Sequence, residues 1–293
     1  MLERFLDPKN DFAFKKIFGE KNKDILIHFL NDVLEFADGA KVMDLTFLGT
    51  IQDAEIASKK TSIVDVLCTD DLGRKHIVEM QVAKTEGFVK RAQYYAAKAY
   101  VGQINKGEAY HQLKEVIFLA IADFMMFPDK PSYKSDHVIL DKSSHAHDLK
   151  DFSFTFLELE KFNKKKDELH TMVDKWCYFF KHATITKPEE LDVISGDSQT
   201  IKKAYGVLVA ANWTEEELNT YEAEKKRILD AKAALTYAWN DGIKKGRQEG
   251  MEKGEKLKAV SIAKSMLSSQ EPIEKIILYT GLSKEDIEKI KGM

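Results

Sequence analysis

The sequence predicts an α/β fold in which helices flank a mixed sheet. Three observations support this prediction. Between residues 11 and 124, the patterns follow in the order helix, three strands, helix, strand. Two of those strands form a hairpin in TSIVDVLCTDDLGRKHIVEMQV, residues 61–82, and the last, EVIFLAIADF, residues 115–124, is almost continuously apolar. A hairpin is antiparallel, and a strand that follows a crossover helix is parallel to its neighbour, so the sheet should contain both arrangements.

The opening segment, DFAFKKIFGEKNKDILIHFLNDVLEF, residues 11–36, has apolar residues at helical spacing. Phe14, Ile17 and Phe18 belong to a short helix, which Gly19 is predicted to separate from a longer one. The following segment, KVMDLTFLGT, residues 41–50, is predicted to be a strand.

In the hairpin, runs rich in Ile and Val at residues 62–68 and 76–82 flank a turn that contains Asp and Gly. If the turn centres near Leu72, the residue numbers of cross-strand partners sum to about 144, and Asp65 lies opposite Glu79. Side chains alternate along a strand, so this acidic pair shares its face with apolar residues. The predicted members of that face are Ile63, Asp65, Leu67, Ile77, Glu79 and Gln81, and those of the opposite face are Val64, Val66, Val78, Met80 and Val82.

Asp65 and Glu79 raise an electrostatic question. Directly opposed residues have Cβ atoms about 5 Å apart, and like charges at that separation destabilise a sheet. A shared proton, a neighbouring Lys or Arg, or a bound divalent cation would each offset the repulsion. The alternative is a solvated polar face with two ordinary surface carboxylates. The hairpin geometry alone leaves both interpretations open.

Further elements are predicted after the hairpin. The segment TEGFVKRAQYYAAKAYVGQINKG, residues 85–107, is predicted to be a helix with Thr85 as its cap and Gly107 at its end. FSFTFLELEKF, residues 152–162, alternates Phe with polar residues and predicts another strand, which could lie at an edge of the sheet. The basic run NKKKD, residues 163–167, is interpreted as a solvated loop or helix start.

From Thr214 onward the pattern is almost entirely helical, and Thr214 with Glu217 forms a capping box. The run DGIKKGRQEGMEKGEK, residues 241–256, has glycine at every fourth position. Each internal glycine costs a helix about 1 kcal/mol relative to alanine. The stripe either lets a second helix approach closely, as a dimerisation surface, or marks a flexible linker. We expect two domains, residues 1–240 and 241–293.

The tail is predicted to form three short helices, at residues 259–267, 272–279 and 283–290, with Ser283 as the cap of the last. Its ILYTGLSKEDI segment resembles a helix-turn-helix, whose second helix could enter a major groove. Residues 241–293 carry eleven Lys or Arg and nine Asp or Glu. The charge therefore does little to favour DNA binding over a small docking module.

The chain of 293 residues has a formal net charge of −3, with 32% charged and 44% hydrophobic residues. Contacts with nucleic acid must therefore come from local basic patches and not from a global field. Cys68 and Cys177 lie among apolar neighbours, which predicts reduced, packed thiols in a cytoplasmic protein. No segment has the pattern of a signal peptide or of a membrane span, so we expect no membrane association.

Asp65, thirteen intervening residues, Glu79, Met80 and Gln81 give the pattern D-x13-E-x-Q on a hairpin beside a helix. This pattern resembles the PD-(D/E)XK nuclease superfamily, and the chain is most similar to its transposase family, the recombination-promoting nucleases. The similarity extends over nearly the whole chain, through NDFAFKKIFG, the hairpin, KRAQYYAAKAY, EVIFLAIADF, FLELEKF and TGLSKEDIEKI. A lone D…ExQ would be a weak signal, whereas these segments in this order are fairly specific.

The resemblance implies a restriction-endonuclease-like core that hydrolyses phosphodiester bonds with Mg²⁺ or Mn²⁺. Asp65 and Glu79 would be metal ligands, with the main-chain carbonyl of Met80 as a third, and hard oxygen ligands suit these ions. Gln81 stands where the superfamily name has lysine. Its amide can position a water molecule through hydrogen bonds, but it brings no positive charge.

Other residues could support such a site. Asp11 is either a further acidic group near the metal or the cap of the first helix, and Glu55 could also face the site. On the helix after the hairpin, Arg91, Tyr95 and Lys98 lie at i, i+4 and i+7, on one face. These three residues either contact the DNA backbone or form a solvated face.

Two functions are consistent with these features. The first is a metal-dependent DNA endonuclease related to transposition or recombination, which acts as a homodimer and needs no organic cofactor. The second is a nuclease-like fold with weak or no activity that serves as a DNA-binding or protein-interaction module. Asp65 and Glu79 favour the first, whereas Gln81 and the near-neutral charge leave room for the second.

Overall fold

The structure is a computed structural model that describes residues 5–36, 39–52, 62–105 and 107–291. Glu55, one of the expected supporting acidic residues, lies outside these ranges. The chain divides into two compact units, Met1–Lys225 and Lys226–Met293. Within the described ranges, every helix is too short or too polar to cross a membrane.

The first unit is built on a mixed sheet. The strands of the described residues are β1 Leu45–Phe47, β2 Ile51–Gln52, β3 Ser62–Ile63, β4 Val66–Asp70, β5 Lys75–Gln81, β6 Val116–Ala122, β7 Lys134–Ile139 and β8 Leu149–Glu158. Six of them form a sheet in the order β1-β4-β5-β6-β8-β7, and β2 pairs separately with β3. The pairs β5–β6 and β6–β8 are parallel, and the other pairs of the large sheet are antiparallel. The predicted mixed α/β sheet is therefore confirmed.

The hairpin of β4 and β5 has the predicted register. Val66 pairs with Val78, which is the partner that a turn centred near Leu72 requires. Asp70 holds the turn, since its carboxylate accepts the N–H of Leu72 at 3.0 Å. Gly73 adopts a φ of 82°, a left-handed conformation that glycine tolerates best. Turn chemistry of this kind sets the register of the whole hairpin.

Strand β8, predicted from FSFTFLELEKF, lies between β6 and β7 and is therefore not at the edge. The edge strand next to β8 is β7, with the sequence KSDHVI, which was not predicted. Its residues are half-buried or exposed, so it lacks the apolar alternation by which half-buried strands are recognised. Charged residues on an exposed edge also protect the sheet against pairing with other chains.

Several helices cover one face of the sheet. They are α1 Asp11–Ile17, α2 Lys23–Leu34, α4 Met172–His182, α5 Leu191–Ser195 and α6 Gln199–Val207. Their apolar sides meet in an aromatic core, where the rings of Phe18 and Phe29 stack with centroids 4.9 Å apart and Trp176 meets Phe29 edge-on at 5.1 Å. Cys68 and Cys177 are buried in the same core as free thiols, as predicted. The break between α1 and α2 falls at the predicted Gly19 region.

Helix α3, Phe88–Val101, covers the opposite face of the sheet. It is shorter than predicted, because Gly87 in a left-handed conformation begins it and Gly102 ends it, in place of Thr85 and Gly107. Its buried face is lined with alanine, at Ala92, Ala96 and Ala99. Small side chains let the helix backbone lie close to the apolar residues of the sheet.

The second unit consists of helices. Helix α7, Glu215–Ser268, begins in the first unit at the predicted capping box, in which Thr214 accepts the N–H of Glu217 at 3.2 Å. It continues without interruption through all four stepped glycines, so the residues predicted as a first short tail helix are its end. Two short helices follow, α8 Ile273–Thr280 and α9 Lys284–Lys291. A small core joins them to the end of α7, and its buried members are Ala263, Ile276, Leu282 and Ile287.

Candidate active site

Asp65 and Glu79 are brought together at the carboxyl end of β5. The N–H of Asp65 donates to Oε1 of Glu79 at 3.3 Å, and Oδ2 of Asp65 accepts the N–H of Met80 at 2.8 Å. Both contacts join the two strands just where β4 begins. In open α/β sheets, ligands typically bind beyond the carboxyl ends of the parallel strands. The two carboxyl groups that the sequence placed opposite each other therefore lie at the edge where a site is expected.

The backbone is irregular at Asp65. Val64 packs with Leu67 and Ile77 under α3, although strict alternation predicted it on the opposite face with Val66. That prediction was wrong, because the chain bends at Asp65 between β3 and β4 and loses the two-residue period there. The bend allows the carboxylate of Asp65, in place of a main-chain carbonyl, to accept a hydrogen bond from β5.

Met80 presents its main chain to Asp65. The N–H and C=O of one strand residue project to the same side of that strand. Since the N–H of Met80 meets the carboxylate of Asp65, its carbonyl also faces the side of Asp65. The next residue faces the other way, because the carbonyl of Gln81 accepts the N–H of Asp123 at 2.8 Å, beyond the end of β6. The two carboxyl groups thus meet at this point, and the carbonyl of Met80 projects from β5 towards the side of Asp65.

Burial makes the acidic pair resist ionisation. Glu79 is 3% exposed and Asp65 is half-buried. Burial raises the pKa of Glu79, and the charge of Asp65 raises it further. Burial also raises the pKa of Asp65, with a further contribution from Asp11. The pair therefore holds a proton above the usual carboxyl range, unless a cation takes the place of that proton.

Gln81 is held at both ends of its amide. Its Nε2 donates to Oε2 of Glu79 at 2.8 Å, and its Oε1 accepts Nη2 of Arg91 at 2.6 Å. These two contacts fix which way the amide points. Arg91 therefore brings a positive charge to the side of the amide remote from Glu79, and this charge opposes the rise in pKa of both acidic residues.

Arg91 is packed between the site and the aromatic residues of α3. Its guanidinium carbon lies 5.0 Å from the ring centre of Phe88 and 6.0 Å from that of Tyr95. Its Nε is buried and makes no hydrogen bond to any residue that the structure describes. Of the three residues predicted to share one face, Arg91 and Tyr95 lie at the acidic pair, and Lys98 lies two turns beyond Arg91.

Asp11 lies within electrostatic reach of the pair but does not cap α1. Asn10 is the cap, and its side chain accepts the N–H groups of Phe12 and Ala13. Asp11 is the first residue of the helix and forms an ion pair with Lys15 at 2.8 Å. Asn and Asp are comparable caps, so the sequence NDF did not decide between them. The negative charge of Asp11 raises the pKa of Asp65.

Two residues of this region were not predicted. Asp123 follows β6 directly, and its N–H bonds to the carbonyl of Gln81. Lys9 forms an ion pair with Asp123 at 2.7 Å. The position of Asp123, immediately after a buried strand that pairs with β5, was the sequence signal for it.

The donor set suits a hard cation that keeps most of its water. Among the described residues, no three His, Cys, Asp or Glu side chains form a group that could hold a metal ion alone. Mg²⁺ and Mn²⁺ do not need such a cage, since Mg²⁺ is commonly bound by one or two carboxylates and retains several water ligands. The oxygens of Asp65, Glu79 and the Met80 main chain match that requirement.

Comparison with known proteins places these features in a family. The family model described as PD-(D/E)XK nuclease family transposase matches residues 8–238, which include the whole sheet, α3 and the acidic pair. Searches of curated proteins and of solved structures each gave no match. The chain therefore belongs to the PD-(D/E)XK nuclease family transposases.

Proposed function

We propose that the protein is a metal-dependent DNA endonuclease that acts in transposition or recombination. The observation that carries this proposal is the convergence of the Asp65 and Glu79 carboxyl groups beside the main chain of Met80. The family supports a nucleic-acid substrate and nuclease chemistry. The buried free thiols are in keeping with a reducing compartment, so we include a cytoplasmic location in the proposal.

Asp65, Glu79 and the carbonyl of Met80 would hold Mg²⁺ or Mn²⁺. When bound, such a cation supplies Lewis acidity at the scissile phosphate and lowers the pKa of an attacking water. Both carboxyl groups must be ionised to bind it, and burial works against that. Arg91 favours the ionised forms, so it helps to prepare the site for a cation.

Gln81 and Arg91 would together do the work of the lysine in the superfamily motif. Gln81 has a second N–H on Nε2 besides the one donated to Glu79, and this N–H can orient a water molecule. Arg91 supplies the positive charge that an amide lacks, through its contact with Oε1 of Gln81. A cation near developing negative charge stabilises the transition state electrostatically.

A plasmid-nicking assay tests the proposed function. We expect conversion of supercoiled to nicked DNA with Mg²⁺ or Mn²⁺, and no conversion when EDTA removes the metal, because the acidic pair then lacks its cation. Restoring activity by adding metal back would exclude damage by the chelator. Nicking that persists in EDTA would contradict a metal-dependent mechanism. Binding of DNA without any cleavage would instead favour a nuclease-like binding module.

We further propose that the protein is a homodimer that uses the glycine stripe of α7, defined as Gly242, Gly246, Gly250 and Gly254. A Cβ built at each of these glycines meets no atom of the described residues within 4 Å, which leaves room there for a close approach by another helix. We expect analytical ultracentrifugation to give twice the chain mass. Gly246→Leu with Gly250→Leu should give the single mass, because leucine adds bulk at the contact where an added Cβ meets no described atom of the chain. Equal masses for the wild type and the variant would contradict the proposal.

A further inference from the structure

A basic groove, defined here by Lys164, Lys165, Lys166, Lys181 and His182, lies beside α4. Its volume is about 480 Å³, and every residue that lines it belongs to the first unit. The first three lysines come from the run NKKKD, which the sequence suggested was merely solvated. The run is indeed an exposed loop at Lys165, Lys166 and Asp167, and it also lines the groove beside α4. The run therefore contributes to a concave, positively charged surface.

The groove carries more positive charge than its carboxylates neutralise. Asp167 and Glu190 also line it, and Glu190 pairs with Lys166 at 2.6 Å. Lys181 donates to the main-chain carbonyl of Phe162, which carries no charge. Lys164 pairs at 2.7 Å with Asp174, a buried residue outside the lining. The four lysines are thus matched by three carboxylates, which leaves one positive charge in excess. An anionic ligand would supply the balance.

Burial disfavours the protonated forms of two basic groups in the groove. Burial lowers the pKa of Lys181. Burial likewise lowers the pKa of His182, and the charges of Lys181 and Lys9 lower it further. Lowered pKa values of basic groups mean that their protonated forms are disfavoured where they stand. A phosphate group placed among them would reverse this effect.

The groove adjoins the candidate active site through Lys9 and Asp123. Asp123 bonds to the main chain of Gln81 and forms the ion pair with Lys9. Lys9 in turn acts electrostatically on Lys181 and His182. Hydrogen bonds and an ion pair therefore lead from Gln81 to Lys9, and Lys9 lies within electrostatic range of two basic groups of the groove. A polymer with regularly spaced phosphates could follow that path.

We propose that the basic groove binds the phosphodiester backbone of duplex DNA on one side of the cleavage site. This inference rests on the proposed function, because it names the surface along which the same substrate lies. The lysines would contact phosphates and not bases, so they would contribute affinity and position without sequence preference. The groove supplies the local basic patch that a chain of net charge −3 requires.

The test is DNA binding by the full chain in EDTA, measured by fluorescence anisotropy with a labelled duplex of about 20 base pairs. Lys165→Gln with Lys166→Gln removes two exposed charges from the groove. We expect about three- to tenfold weaker binding near 0.1 M salt, and a slope of log K against log salt that falls by about two. Lys142→Gln with Lys150→Gln is the matched control, because it removes two exposed charges, one before β8 and one at its start, that do not line the groove. The control should change neither quantity.

Equal losses in the two double variants would overturn the proposal, since they would indicate a general charge effect. Unchanged binding in the groove variant would also overturn it. A second measurement uses lysine acetylation, in which the duplex should protect Lys165 and Lys166 but leave Lys142 and Lys150 reactive. Because binding is measured without metal, the result is independent of whether the protein cleaves DNA. Failure of the proposed function would appear separately, in the nicking assay.

Discussion

Asp65→Asn is expected to lower the rate of DNA cleavage on the order of 10³-fold or more, while it makes the metal-free protein more stable at pH 8. The activity falls because a neutral amide is a poor ligand for a hard cation. The fold is retained because the side-chain oxygen of Asn can still accept the N–H of Met80. The corresponding Glu79→Gln change is less clean, since its new N–H would meet the donating Nε2 of Gln81.

The gain in stability has a defined pH dependence. Burial raises the pKa of Glu79, and the charge of Asp65 raises it further. Above the ordinary Glu value of 4.5, the folded protein therefore binds more protons than the unfolded chain, and its stability falls as the pH rises. Asp65→Asn removes part of that effect. Its advantage over the wild type should be absent near pH 4 and should grow towards pH 8.

Thermal unfolding in EDTA between pH 4 and 8 measures this difference. We expect the variant to unfold about 2–8 °C above the wild type at pH 8, which corresponds to roughly 1–2 kcal/mol for a protein of this size. Adding Mg²⁺ or Mn²⁺ should stabilise the wild type and not the variant. Glu249→Gln, an exposed change on α7, is the control and should affect neither activity nor unfolding. An active variant, or one that is less stable at every pH, would argue against the proposed site.

Arg91→Gln is expected to lower the cleavage rate about 10- to 10²-fold and to move the pH–rate profile towards higher pH. Arg91 orients the amide of Gln81 and favours the ionised forms of Asp65 and Glu79. Without it, the acidic pair keeps its proton to a higher pH and binds a cation less well at neutrality. Arg91→Lys should recover part of the activity, because it keeps the charge but loses the planar fork of the guanidinium.

Initial rates with Mg²⁺ between pH 6 and 9 measure the effect. Lys90→Gln is the matched control, since Lys90 is the preceding residue of α3 and is exposed. It should leave both the rate and the profile unchanged. If Arg91 had only a structural role, its loss would lower the cleavage rate without shifting the pH–rate profile. Arg91→Lys would then be no more active than Arg91→Gln. That outcome would remove Arg91 from the proposed mechanism.

The sequence was sufficient to bring Asp65 close to Glu79, because the hairpin register is fixed by its turn up to Val66 and Val78, the residues next to the acidic pair. It was also sufficient for the buried strand β6, whose continuous apolar run has few alternatives. It did not reveal β7, since a polar edge strand has no apolar period to detect. It misplaced Val64, because a local bend depends on which group accepts a hydrogen bond, here the Asp65 side chain.

The partners of Gln81 were likewise beyond a sequence argument. Arg91 was predicted either to contact the DNA backbone or to form part of a solvated face, and neither alternative included the contact of its guanidinium with the amide of Gln81. The spacing along α3 gave the correct face, but only the distance between helix and sheet determines what a long side chain reaches. The sequence also left open whether the glycine-stepped segment is helical. The low helix propensity of its glycines opposes the long helical pattern in which they lie.

The alanine face of α3 has a consequence for how such a site can change over time. Ala92 and Ala96 determine how far the helix axis stands from the sheet, and Arg91 extends from that helix to Gln81. A larger side chain at either alanine would lift the helix and withdraw the guanidinium by a similar distance. The side-chain volumes at positions 92 and 96 and the side-chain length at position 91 are therefore coupled. A tolerated substitution at one of these three positions should be accompanied by a compensating substitution at another.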